Sequence, residues 1–457
     1  MSTWVPKLGR RKAPLYIKIA DALAEDVAAG RLEAGTRIPA HRALAADLGV
    51  DFTTVSRAYA EARRRGLVVG QPGRGTFVRD HGADNPERII DLSLNAPPDP
   101  EAGYVEREFA SALGTLSSHA DLGRFLHYKD SQGALDHREA AALWIEEHGI
   151  AASPDCIVIC NGAQHAIAVV LASLGAAGNT VLTEGLTFPA MKPLAQYLGA
   201  RLVGVPMDDD GIRPDAFARA CRDCRPIALC TVPTLHNPTA IVMSEVRRRE
   251  IAEVARDHGV AIVEDDAYGG IPSDAPAPLS THAPEVSYYV ASLSKSTTPG
   301  LRVAYVLAPD ERKAVQATNA TRAFLWMVAP LLVEIAARWI RDGTAGRILR
   351  ARREEAAMRQ RIAAAALGSW LTHPHRYACH SWIALPERWS TTDFVAAARY
   401  RGVAVSPSDA FAVSPDFAVP AVRVSLGSVS SRADLSRGVN TLAAMLDGEA
   451  ATGTVLL

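Results

Sequence analysis

The chain has 457 residues, 48% of them hydrophobic and 22% charged, which is longer than one compact unit at roughly 100–200 residues per domain and excludes wholesale disorder. Glycine and proline are scattered without a period, no stretch reaches the ~18 uninterrupted apolar residues of a membrane span, and the first residues lack the apolar core of a secretory signal. The net charge of −1 hides an asymmetry, because residues 1–80 hold 14 Lys and Arg against 8 Asp and Glu, the balance of a module with a polyanion partner or of a small solvated domain.

Past a tail at residues 1–12, three helices are predicted between Pro14 and Gly66. The first puts Tyr16, Ile19, Leu23 and Val27 on one face and stops near Gly30. Residues 35–39 read as a turn, residues 40–48 as a short helix closed by Gly49, and residues 52–65 as a third helix that Asp51 caps and Gly66 ends. Two short helices joined by a tight turn are the arrangement of a helix-turn-helix. Residues 67–69 and 75–78 then read as strands around Gln71-Pro72-Gly73-Arg74, forming a wing. In such a module the third helix enters the major groove. Thr53, Thr54 and Arg57 are then candidates for base edges or phosphates, and Arg42 and Arg74 for the DNA backbone. Each alone is an ordinary surface side chain.

Together they resemble the GntR-type winged helix-turn-helix. Gly30-x-Leu32-x-x-Gly35, Ile38-Pro39-x-x-Arg42-x-Leu44-Ala45, Leu48-Gly49-Val50, Thr54-Val55-x-x-Ala58-Tyr59 and Gly73-x-Gly75-Thr76-Phe77-Val78 fall in that family's order. The resemblance implies a double-stranded DNA operator as partner, contacted at Arg42, Thr53, Thr54 and Gly75. Asp51-Phe52 stands where the family usually has Ser-Arg, so a customary basic contact is missing.

Residues 81–100 are polar and proline-dotted and read as a linker and lead-in segment. Beyond them, helical stretches alternate with β-branched runs at 157–159, 180–182, 227–230, 261–263 and 289–291, the pattern of an α/β unit with a mostly parallel sheet.

Residues suited to chemistry follow those runs. Lys295, in Ser292-Leu293-Ser294-Lys295-Ser296, sits where partial desolvation lowers a lysine pKa and favours Schiff-base chemistry. Arg302 and the hydroxyls of Ser292 and Ser294 suit a phosphate clamp. Asp265, before Asp266-Ala267-Tyr268, is placed as a carboxylate that holds a pyridinium nitrogen, as a helix cap, or as a metal ligand. Asn237, in His236-Asn237-Pro238-Thr239, offers a donor to a ring oxygen, although Asn-Pro is also an ordinary turn signal. Asn161-Gly162-Ala163-Gln164 opens a helix whose free N–H groups suit a phosphate. Cys221-x-x-Cys224 has no second pair, so no metal is expected; six cysteines in all fit a reducing compartment. The runs at Arg63–Arg65 and Arg247–Arg249 lie on helices, the first near DNA phosphate and the second as a solvated face.

The order Gly162-Ala163-Gln164, Asn237-Pro238, Asp265-x-x-Tyr268, Ser292-x-Ser294-Lys295, Arg302 and Arg423 resembles the fold-type I pyridoxal-phosphate aminotransferases of the aspartate aminotransferase class I/II superfamily. The resemblance implies a winged helix-turn-helix at 13–80 and an aminotransferase-like effector domain at 101–450 with a smaller C-terminal α+β subdomain. It implies pyridoxal 5'-phosphate as cofactor, held covalently by the catalytic Lys295 and paired at its ring nitrogen by Asp265. Asn237 and Tyr268 would bond the ring oxygen and Phe188 would stack on the ring. Gly162, Ala163, Ser292, Ser294 and Arg302 would grip the phosphate. Tyr128 would reach that phosphate from the neighbouring subunit, which implies a homodimer, and Arg423 would take a ligand carboxylate. Ala240 and His148 stand where glycine and arginine are common, and His236 where glutamine is frequent.

Both modules on one chain resemble the MocR subfamily of GntR-type transcriptional regulators. That implies a cytoplasmic, membrane-free DNA-binding regulator that senses pyridoxal phosphate or an amine or amino acid condensed with it. A working aminotransferase is the alternative, because it needs the same Lys295, Asp265 and Arg423.

Overall fold

Apolar residues three and four apart give the first unit its helices, Leu15–Ala28, His41–Leu48 and Phe52–Arg64. The computed structural model describes residues 4–6, 8, 14–29, 31–32, 35–71, 75–78, 89–100, 103–119 and 122–448. The chain divides into two units, residues 1–88 and 89–457.

In the first unit Gly49 ends the second helix at φ +63°, a left-handed position that a Cβ disfavours. Asp51 opens the third helix by accepting the Thr53 N–H at 2.8 Å and the Thr53 hydroxyl at 2.5 Å. Ile19, Leu23, Leu44, Val55, Ala58, Tyr59 and Val78 form the core. The Tyr59 hydroxyl enters that core by donating to the Pro39 carbonyl at 2.8 Å. Residues 35–39 are not only a turn. Arg37–Ile38 is a strand that pairs with Gly75–Val78, and Val68–Gln71 completes a three-stranded sheet. A two-residue strand has no period to read in a sequence. Pro72, Gly73, Arg74 and the linker up to Arg88 lie outside the described residues.

The second unit is organised on a seven-stranded sheet. Its order is Ile157–Cys160, Ala304–Leu307, Ser287–Ser292, Ala261–Asp266, Ala228–Thr231, Thr180–Glu184 and Arg201–Val205. Ala304–Leu307 runs antiparallel to both neighbours and the other pairings are parallel. It and Arg201–Val205 are additional to the runs anticipated above. Ile157–Cys160, Ala228–Thr231 and Ser287–Ser292 are buried throughout, as strands covered on both faces must be.

A smaller antiparallel sheet holds Leu371–Thr372, His380–Ala384, Ala421–Ser425 and Ser406–Pro407. It packs with the helices Thr344–Leu367 and Arg432–Asp447 through Ile383, Phe394, Val422, Leu435 and Leu442. Residues 89–100 belong to this body rather than to a free linker. Ile90–Asp91 pairs with Val403–Ala404, and Leu92 is fully buried. Among the described residues, no helix is long and apolar enough to cross a membrane.

Arg247, Arg248 and Arg249 do not form a solvated face. Arg248 is 0% exposed and donates to the carbonyls of Met243, Ala277 and Pro233 and to the Thr234 hydroxyl, with Glu264 at 3.8 Å. Helical spacing turns it inward, while Arg247 pairs with Asp208 and Arg249 with Glu245. Removing the guanidinium leaves the Glu264 carboxylate buried without a countercharge. Arg248→Ala is therefore expected to destabilise the second unit by about 3 kcal/mol, seen as a lower urea midpoint.

Candidate functional site

Parallel sheets collect ligands at the carboxyl ends of their strands, where the chain leaves the sheet and backbone groups are free. A cavity of about 270 Å³ lies there, lined by Ala163, Phe188, Asn237, Asp265, Tyr268, Ser292, Ser294, Lys295 and Arg302 among others. The roomier cavity of about 660 Å³ beside Arg350, Arg361 and Arg376 contains none of these groups.

Lys295 lies in the single turn Leu293–Ser296, which Ser292 opens by accepting the Ser294 N–H at 3.2 Å. Its Nζ donates to the Asn95 carbonyl. Burial, helped by the nearby Arg423, pulls the lysine below its ordinary pKa, while Cys379 and Asp265 act the other way. Asp265 leaves the adjacent strand Ala261–Asp266. Burial, and next the Asp266 charge, pushes its carboxyl up to about 7, and its Oδ1 is buried without a hydrogen-bond partner.

Two side chains around the cavity have their polarity fixed by neighbours. The Tyr268 oxygen accepts from Asn95 Nδ2 at 2.7 Å, which leaves its own O–H to donate elsewhere. Asn237 Oδ1 accepts from Arg423 Nη1 at 2.9 Å, which turns the amide N–H₂ the other way. Arg423 is 5% exposed, lies 4.8 Å over the Phe411 ring, and also donates to the Ser93 carbonyl and, at 3.2 Å, to the Ser406 hydroxyl. Its Nε has no partner.

Gly162 opens the helix Ala163–Ser173 at φ +83°, and a Cβ there would lie 2.4 Å from Arg302 Nη2. Glycine is what lets the guanidinium lie across the helix start. Arg302 itself is exposed and donates to the Asn161 carbonyl at 3.3 Å.

Tyr128 is not in this cavity. It is 81% exposed and meets Trp326 edge-on at 5.8 Å. His236 is buried behind the cavity, with Nδ1 2.8 Å from the Thr239 hydroxyl. Ala240 adopts φ +63°, the strained conformation that makes glycine common at such a position. In the first unit Arg42 and Arg57 are exposed and Thr54 is half-buried. The Thr53 hydroxyl is bound to Asp51, and Gly75 sits at φ +118° beside Arg37.

Ser93, Asn95, Cys379 and His380 were not anticipated. Burial drops the His380 pKa to about 3, so the ring is neutral, and the His236 carbonyl 3.0 Å from Nε2 places the proton on that nitrogen. These residues carry no motif. A hint was the density of polar residues in Ser93-Leu94-Asn95 just ahead of three prolines.

Residues 87–442 match the aminotransferase class I and II family, and residues 15–78 match the gntR family of bacterial regulatory proteins. The HTH-type transcriptional regulator YdeF of Bacillus subtilis is 29% identical over 97% of each chain. The vitamin B6 salvage pathway transcriptional repressor PtsJ of Salmonella typhimurium is 26% identical over 87% of this chain and 91% of its own. The crystal structure of LysN, an alpha-aminoadipate aminotransferase of Thermus thermophilus complexed with N-(5'-phosphopyridoxyl)-L-leucine, superposes with a TM-score of 0.69 at 24% identity, over 79% of this chain and 92% of LysN. The chain belongs to the aminotransferase class I and II family and carries a gntR-family helix-turn-helix at its N-terminal end.

The raised pKa of Asp265 has a stability consequence. The folded chain keeps this proton up to about 7, whereas the unfolded chain releases it in the ordinary carboxylate range. The contribution of that proton to stability is complete at low pH and is lost as pH rises through this window. In urea titrations of the ligand-free protein, Asp265→Asn is expected to exceed the wild type at about pH 8, by up to about 4 kcal/mol, and to converge with it near pH 4.

Proposed function

We propose that this chain is a pyridoxal phosphate-dependent, DNA-binding transcriptional regulator that responds to the cofactor, or to an amine or amino acid joined to it. The observation that carries this is one chain holding both a winged helix-turn-helix and a cavity rimmed by Lys295, Asp265 and Arg302. The names of PtsJ and of the LysN complex point the same way.

The residues present fit the cofactor. Asp265 Oδ1, a buried acceptor without a partner, suits a protonated ring nitrogen. The bare Cα of Gly162 lets the Arg302 guanidinium lie at the start of Ala163–Ser173, where the helix N–H groups, Ser292, Ser294 and Arg302 would hold a phosphate. The Tyr268 O–H and the Asn237 amide are donors for the ring oxygen, and Phe188 covers a ring face. Lys295, held below its ordinary pKa by burial, loses its proton more readily than an exposed lysine. Bound pyridoxal phosphate supplies an aldehyde that takes up amines and an electron-withdrawing ring. Arg423 would pair with the carboxylate of an amino acid through both arms.

A homodimer is part of the proposal. Tyr128 lies outside its own cavity and shares an exposed apolar surface with Leu126, Phe324, Leu325 and Trp326, which a second copy would cover. The effector's differential affinity for two dimer conformers would then change the fit of two recognition helices to paired half-sites.

Two outcomes are expected. Pyridoxal phosphate should give the purified chain a visible absorption band, absent in Lys295→Ala, that one amine or amino acid shifts; no band in the wild type would remove the cofactor half. On nonspecific duplex DNA, Arg42→Ala should lower affinity and reduce the slope of log K against log salt by about 1. An unchanged slope would exclude Arg42 from phosphate contact.

A further inference from the structure

Residues 93–99 pass beside the cavity. Each end is fastened without help from the residues assigned to the ligand. At the first end, the Leu92 N–H donates to the Ala404 carbonyl at 2.8 Å and the Leu92 carbonyl accepts from the Ser425 N–H at 2.7 Å. At the far end, Arg352 donates to the Pro98 carbonyl at 2.5 Å and reaches Asp99 at 3.4 Å.

The middle is held differently. The Ser93 carbonyl accepts from Arg423 and the Asn95 carbonyl from Lys295. The Asn95 amide donates to Tyr268 at 2.7 Å, and the Cys379 thiol lies 3.7 Å from Asn95 Oδ1. Leu94, between the two carbonyls, is 67% exposed. The Ser93 carbonyl also accepts from the Ser406 hydroxyl at 3.0 Å. So the two cations that the proposed function assigns to the amine and carboxylate ends of a ligand each hold one carbonyl of this segment's middle, and Lys295 is the donor to the Asn95 carbonyl.

We propose that residues 93–95 form a strap whose attachment reports the ligand, with Asn95 as its positioning residue. A group that bonds to Lys295 Nζ takes that donor from the Asn95 carbonyl. A carboxylate that pairs with Arg423 takes the other from the Ser93 carbonyl, which then keeps the Ser406 hydroxyl alone. Asn95 meanwhile sets the direction of the Tyr268 proton through its amide. The strap continues on its N-terminal side into Ile90–Asp91, which pairs with Val403–Ala404. This inference rests on the cofactor reading of Lys295 and Arg423.

The test is hydrogen–deuterium exchange on the full chain with and without pyridoxal phosphate, recording the visible band on the same samples. The band should form and amides 93–96 should exchange about tenfold faster, while those of Ile157–Cys160 hold steady. Lys295→Ala, which removes the donor to the Asn95 carbonyl and leaves Asn95 in place, should exchange fast at 93–96 before any addition and show no cofactor-dependent change. Asn95→Ala keeps both main-chain carbonyls and loses the bond to Tyr268, so it should keep the band and the cofactor-dependent rise in exchange while the pH dependence of the band shifts, a readout that a merely structural role for Asn95 would not move. A wild-type band with unchanged or slower exchange at 93–96 overturns the strap and leaves the cofactor reading standing. No band overturns both.

Discussion

The second unit is built around an acid and a base, Asp265 and Lys295, half-buried on the lining of one cavity at the carboxyl edge of a sheet whose strands are covered on both faces. Burial of an ion costs several kcal/mol even after relaxation, and this fold answers by moving both groups toward neutrality. It is not short of ways to satisfy a buried acid. Glu184 accepts from Thr183, Thr231 and the Val232 N–H, and Glu264 from Ser280 and the Leu279 N–H. Against those saturated neighbours, the Oδ1 atoms of Asp265 and of Asp266 are buried without a hydrogen-bond partner, and of the two residues it is Asp265 that lines the cavity.

The first unit meets a gentler constraint with a mixed result. Its third helix needs an acceptor at its start, and Asp51 provides one with a full negative charge. The same charge sits beside the 47%-exposed Phe52, while Arg57 and Arg63 on that helix and Arg42 on the helix before it are exposed cations.

Much of this was legible in the sequence because it is local. Helix faces such as Ile19 and Leu23, the β-branched runs, and Asp265, Lys295 and Arg302 each declare themselves within a few neighbours. What escaped depends on pairing at a distance. Asn95 meets Tyr268 across 173 positions and Ser93 meets Arg423 across 330, so a segment that reads as linker is part of the site. Arg248 escaped because a run of arginines looks solvated. Its burial depends on carbonyls of Pro233 and Ala277 that only the folded chain brings round it. Ala304–Leu307 escaped altogether, since four apolar residues are too short a run to mark a strand, still less which way it points.

That antiparallel strand has a metrical consequence. Ser292 and Ala304 are register partners, so the chain leaves the sheet and returns directly opposite, and Lys295 and Arg302 ride on the one loop pinned at its base. Arg423 belongs to the other, smaller sheet. A shift of one sheet relative to the other would therefore leave the spacing between Lys295 and Arg302 untouched and alter only their distance to Arg423. The pair on the loop is a fixed ruler, and any change in the spacing of the two sheets would be read at Arg423 alone.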